Sequence, residues 1–169
     1  MKNNDIFINA VRFIVLVFVQ VLILNNINLF GYINPYLYIY FILMYPLDEN
    51  KGLLIFLGFL LGLSIDIFED SGGVHAAACT FIAYIRPVVL KYSFGVSFEY
   101  NSIKIDKADF SEKLTYITSL VFMHHFVMFS LEIFSINHIL LLLKSTLFSG
   151  IFSIILIIGT MILFAKKSS

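Results

Sequence analysis

Asp66 is the carboxylate in this chain best placed to do chemistry, because it stands at the end of an apolar run and not in a polar loop. Gly58, Gly62 and Asp66 are spaced i, i+4, i+8, which on a helix puts them in one line along one face. The two glycines remove side chains from that line, so another backbone can approach closely in the small-xxx-small manner of membrane helices. A carboxylate at the end of such a stripe fixes the depth and orientation of whatever docks there. The plainer alternative is a packing face with a solvated acidic end.

Other ionisable residues also fall inside apolar runs, where polar groups are expensive and are functional candidates by default. Arg12 lies early in the first run and Arg86 within reach of an interface, so both are expected to snorkel. Glu132 and Lys144 flank a short turn and are expected to pair across it. His124 and His125 are adjacent, point about 100° apart on a helix and cannot chelate one metal together; one is expected to face the bundle and hydrogen-bond there. Cys79 is the single cysteine, which excludes an internal disulfide and suggests a small buried apolar residue with no metal role.

Catalytic arrangements are missing. There is no H-E-x-x-H. Ser64 lies in Gly-Leu-Ser-Ile, which lacks the second glycine of the rhomboid-type serine motif. Asp66 lies in Gly-Leu-Ser-Ile-Asp, not in the G-x-G-D of intramembrane aspartyl proteases, and no second membrane-centred Asp matches it. No glycine-rich phosphate loop with a lysine is present. The residues point to a non-enzymatic protein without catalytic residues, cofactor or metal.

The elements that must position these residues are membrane spans. The chain has 169 residues, 60% hydrophobic and 13% charged, against about a quarter charged in a soluble domain. A span takes about 20 mostly apolar residues, and six such runs are expected, at about 6–24, 29–47, 52–68, 74–92, 114–133 and 139–164. The first is expected to be a retained span and no signal peptide, since no small-x-small cleavage site with a polar mature region follows it. The expected fold is an all-α membrane protein, a six-helix bundle in one domain over residues 1–169. Tyr32, Tyr36, Tyr38, Tyr40 and Tyr45 are expected to anchor the second span at the interfaces, and Pro87 to kink or end the fourth. Gly72-Gly73 favours a sharp turn after the third. Residues 93–113 form the longest polar segment. The formal net charge is zero, which gives no basis for nucleic-acid binding.

Lysines set the orientation. Lys2, Lys51, Lys91, Lys104, Lys107, Lys113, Lys166 and Lys167 fall at the two ends, in the two-to-three loop and in the four-to-five loop. The other three connections contain no Lys or Arg. With six spans the two sets lie on opposite sides, so both termini are expected to be cytoplasmic and Asp66 to lie near the outer interface.

Gly58-x-x-x-Gly62-Leu63-x-x-Asp66, the Gly72-Gly73-x-His75-Ala76-Ala77 run and Asn34-Pro35-Tyr36-Leu37-Tyr38 together carry a resemblance. The chain resembles MreD, the rod shape-determining membrane protein family of bacteria, whose architecture is similar to the six-helix substrate-binding S components of energy-coupling-factor transporters. The resemblance implies a non-enzymatic scaffold in the inner membrane that binds MreC and works beside MreB, the RodA glycosyltransferase and a class B penicillin-binding protein in controlling cell shape and peptidoglycan synthesis. Gly58, Gly62 and Asp66 are the motif residues, for partner binding or for helix packing inside the bundle against Ala76–Ala78. Asp66→Ala or Gly62→Leu is then expected to weaken assembly more than membrane insertion. An S-component-like vitamin-binding subunit is the alternative, with Asn25, Asn28, Asp66, His75 and Glu132 near an outer-face pocket.

Overall fold

A computed structural model of the chain describes residues 3–47, 50–95, 105, 108–134 and 138–164. Its regular elements are α1 (Asn3–Leu22), a one-turn α2 (Tyr40–Leu43), α3 (Lys51–Glu69), α4 (Val74–Phe94), α5 (Phe110–Ile133) and α6 (Ile139–Leu163). All but α2 are long and apolar enough to cross a membrane. At 1.5 Å per residue those five run roughly 28–38 Å, enough to span a hydrocarbon core of about 30 Å. Large apolar side chains such as Phe18, Phe56, Ile67, Phe126 and Ile155 face outward, as lipid contact requires. The chain is an all-helical, multi-pass membrane protein by these criteria. The polar 93–113 connection lies largely outside the described residues, as do Asp48-Glu49, Ser135–Asn137 and Lys2, Lys104, Lys107, Lys166 and Lys167.

Helix α5 lies between α4 and α6, and α3 packs most extensively on α4. Helices α4 and α5 are antiparallel: Cys79 faces His124 at one level, and Arg86 bonds Tyr116 at another. Pro87 does not end α4, which continues to Phe94.

The expected second span is the main departure from the sequence reading. Residues 29–47 form no long helix. Phe30 and Gly31 take positive φ angles, a bridge joins Leu29 and Ile33, and the chain then runs irregularly through Asn34-Pro35-Tyr36 into a 3-10 turn (Leu37–Ile39) and α2. Pro35 has no N–H, and φ is fixed at its ring, which disfavours helix at Asn34. The backbone groups that a helix would have satisfied are met by side chains instead. Asn34 N–H donates to Ser149 Oγ (3.1 Å), Tyr36 N–H to Ser153 Oγ (2.8 Å) and Leu37 N–H to Gln20 Oε1 (2.9 Å), while Gln20 Nε2 donates to Pro35 O (3.0 Å). Two residues of extended chain advance about 6.6 Å and four residues of helix about 6 Å, so serines at i and i+4 on α6 match alternate amides. Irregular backbone at membrane depth is tolerated only when enclosed in protein in this way.

The same segment crosses the bundle. It meets Gln20 of α1 at Pro35–Leu37 and Arg12 of α1 at the Met44 carbonyl (3.3 Å). Those two α1 positions are about 12 Å apart along the axis. Residues 35–44 therefore run antiparallel to α1. Tyr36, Tyr38, Tyr40 and Tyr45, expected as interfacial anchors, are buried among the helices. The interfacial expectation failed because it assumed a lipid-exposed helix, whereas this stretch is wrapped by α1, α4, α5 and α6.

Candidate functional site

Asp66 is built into the junction of α3 and α4. Helix α3 ends at Glu69; Asp70 takes the left-handed conformation and its N–H returns to the Asp66 carbonyl. Gly72 and Gly73 then turn the chain at φ +67° and +96°, values that favour glycine. Helix α4 starts with Gly73 at its N-cap and so has no capping side chain of its own. The Asp66 carboxylate supplies the cap from the preceding helix. Oδ1 accepts from His75 N–H (3.0 Å) and Oδ2 from Ala76 N–H (2.8 Å), the second and third residues of α4, and Ser71 Oγ donates to Oδ1 (2.5 Å). A carboxylate at a helix N-terminus meets both free amides and the positive end of the dipole. Asp66 is buried; the solvated acidic end is not what forms.

The glycine line faces α4. A Cβ on Gly62 would overlap the His75 carbonyl and come within 2.5 Å of Ala76 Cα, and one on Gly58 would lie 3.2 Å from both the Ala83 Cβ and the Cys79 carbonyl. Gly58, Gly62 and Asp66 therefore act as one helix-packing device: the glycines let the two backbones meet, and the carboxylate fixes their register. Of the two roles open for these residues, the geometry is that of packing within the bundle.

Below this junction lies a buried polar chain. Glu69 Oε2 is 2.7 Å from His75 Nε2; His75 Nδ1 is 2.7 Å from Tyr38 Oη; Tyr38 Oη is 3.0 Å from His124 Nε2. Tyr38 and His124 are fully buried, His75 nearly so, and the Glu69 side chain is 23% exposed. His124 Nδ1 is buried without a hydrogen-bond partner. His125, expected to differ from His124 in burial, is fully buried too, because α5 is covered by α4 on one side and α6 on the other. Its Nδ1 lies 2.8 Å from the Val121 carbonyl and must donate, so its Nε2, 3.2 Å from Ser153 Oγ, accepts.

At the opposite end of the crossing segment, Arg86 does not snorkel. It is 4% exposed, its Nε donates to Tyr116 Oη (2.8 Å), and its Nη2 donates to the Leu43 (3.2 Å) and Tyr45 (2.5 Å) carbonyls. Tyr116 Oη also donates to the Leu43 carbonyl (3.0 Å). A fixed cation at the free carbonyls after α2 is the C-terminal counterpart of the Asp66 cap.

No family model matches the chain, and neither a curated protein nor a solved structure does.

Asn25 and Asn28 are not brought together with the site, whereas Glu132 lies near enough to Glu69, His75 and Tyr36 to interact with them electrostatically. Glu132 and Lys144 are both exposed and form no ion pair with each other. Asn28 is exposed, and Asn25 is engaged by Gln20 Nε2 at 2.7 Å. Asp66 and His75 are adjacent, but through the helix cap. Among the described residues no group of three His, Cys, Asp or Glu side chains is arranged to hold a metal ion. Sequence reasoning passed over Gln20, Tyr116, Ser149 and Ser153, and took Tyr38 for an interfacial anchor. Ser145, Ser149 and Ser153 repeat every four residues within a mostly apolar helix, a visible sign of a polar inward stripe.

On the far side of the α3–α4 junction, facing away from the bundle, the two helices leave an open apolar groove. Ile55, Phe59 and Leu63 form one wall and Ala77, Thr80 and Tyr84 the other. Gly73, Ala77, Thr80 and Tyr84 follow helical spacing, so one wall is mostly small side chains and the other bulky.

Proposed function

We propose that this chain is a non-enzymatic scaffold subunit of the MreD kind in the bacterial inner membrane, which binds MreC and through it the MreB, RodA and class B penicillin-binding protein machinery of cell elongation. The observation that carries this reading is the α3–α4 groove. Gly58, Gly62, Asp66 and Ala76 lock these two helices together, Leu63 and Ala77 of the same motifs line the outer groove, and the locked pair presents outward an apolar groove with one wall of mostly small side chains. A single membrane-spanning helix packs into such a groove through close van der Waals contact.

The crossing segment 29–47 acts as the sixth pass. Six passes put both termini on one side, and the lysine distribution makes that side cytoplasmic. Asp66 and Glu69 then lie towards the outer face and Arg86 towards the inner one. The S-component likeness is a likeness of bundle architecture.

Purification of tagged protein in mild detergent, with co-purifying proteins and small molecules identified, tests the reading. A single-span MreC-like protein is the expected partner. A bound vitamin together with an ATPase module would instead make the chain a transporter subunit.

A further inference from the structure

The hydrogen-bonded chain Glu69–His75–Tyr38–His124 is not used by a scaffold, and it has two features that packing alone does not require. It runs unbroken from a partly exposed carboxylate to the middle of α5, and it ends on a buried nitrogen with no partner. His124 lies nine residues before the end of α5, about 13 Å along its axis. Buried polar atoms are nearly always paired, so an unpaired one calls for an explanation. Carboxylate–histidine chains inside membranes are the usual material of proton relays.

Each link works with either polarity. With Glu69 as a carboxylate, His75 Nε2–H donates to Glu69, Tyr38 O–H donates to His75 Nδ1, and His124 Nε2–H donates to Tyr38 Oη. A proton added at His124 Nδ1 pushes one hydrogen across each of the three bonds. His124 Nε2–H passes to Tyr38, the Tyr38 hydrogen to His75 Nδ1, and the His75 Nε2 hydrogen to Glu69. The result is a protonated Glu69 donating to His75 Nε2, His75 and His124 each carrying hydrogen on Nδ1, and Tyr38 donating to His124. No heavy atom moves, no other bond changes, and the chain holds one more proton than before.

We propose that Glu69, His75, Tyr38 and His124 are a proton relay, a site that binds one exchangeable proton and links the Glu69 mouth to the buried Nδ1 of His124. The titratable groups around it are Asp66 on α3, Cys79 on α4 (Sγ 3.8 Å from His124 Nε2), His125 and Glu132 on α5, and Tyr36 on the crossing segment. Asp66 is held by the α4 amides and His125 by Val121 and Ser153, so neither is a link of the chain. The polar groups of α1 and α6 that reach this region, Gln20, Ser149 and Ser153, are uncharged.

The test is nitrogen NMR of histidine-labelled protein in lipid nanodiscs, followed from neutral to acidic pH, with the four histidines assigned by single substitution. His75 and His124 are expected to exchange Nε2–H for Nδ1–H together, at one shared midpoint that also moves the Glu69 carboxylate signal. In Tyr38→Phe, which keeps the ring and removes the hydroxyl, the two histidines are expected to lose that shared midpoint. In Glu69→Gln, whose substitution lies at the exposed end and spares the core, neither histidine is expected to switch. A His124 signal that stays fixed while Glu69 titrates, or a joint switch that survives either substitution, overturns the relay.

Discussion

Asp66 at the end of α3 caps the amide of His75 in α4 at 3.0 Å, and the next amide, Ala76, bonds the other carboxylate oxygen at 2.8 Å. One residue therefore closes one helix through its backbone carbonyl, which accepts from the Asp70 N–H, and starts the next through its carboxylate. The glycines one and two turns earlier let the backbones come close enough for this to happen.

Asp66→Ala leaves two buried amides and the Ser71 hydroxyl without an acceptor. Each orphaned buried donor costs about 1–3 kcal/mol, so the variant is expected to melt well below the parent in detergent or nanodiscs. Asp66→Asn keeps one acceptor oxygen and is expected to fall between the two. Equal melting of Asp66→Ala and the parent would show that the carboxylate cap does not stabilise the α3–α4 junction.

The glycines rank by what a methyl group would meet. Gly62→Ala strikes α4 backbone, which cannot move without parting the helices. Gly58→Ala meets contacts of 3.2 Å and needs only a small adjustment. Gly150→Ala meets the Phe122 ring, which can turn, and helix propensity favours alanine by about 1 kcal/mol. Thermal melts are expected to order them Gly62→Ala lowest, then Gly58→Ala, then Gly150→Ala near the parent.

Arg86 reaches three oxygens with a planar fork, which a lysine cannot reproduce. Arg86→Lys is therefore expected to be nearly as destabilising as Arg86→Met, measured by melting or by protease sensitivity of the crossing segment. A parent-like Arg86→Lys would mean that only the charge matters.

Ser153→Ala orphans both the Tyr36 amide and the His125 nitrogen, for roughly 1–3 kcal/mol per group. Ser149→Ala removes two part-buried bonds, from the Asn34 amide and the long one to the Tyr32 carbonyl (3.5 Å), and is expected to cost less. Hydrogen exchange at Tyr36 should quicken in Ser153→Ala.

Five of the six expected runs correspond to helices with ends within a few residues of those read from the sequence. Each is a long apolar stretch bounded by turn residues, such as Gly72-Gly73 after α3. The run at 29–47 looked the same by hydropathy. Its true form depends on Ser149, Ser153 and Gln20, which stand far away in sequence and take the place of helical hydrogen bonds. One local sign was present: Pro35 stands inside the run and disfavours helix at Asn34. The glycine–aspartate line was legible as a packing face, but its partner was not, since spacing says where a close approach occurs and not to what. Arg86 was misjudged because its proximity to an interface was weighed without the carbonyls left free after α2.

We propose that the outer α3–α4 groove receives a partner helix. A photo-crosslinking residue placed at Ala77, exposed in that groove, and separately at Ile151, exposed on α6, measures this directly in intact cells. A crosslink is expected from position 77 to a single-span MreC-like protein and none from position 151. Crosslinks from position 151 with silence at position 77 would contradict it.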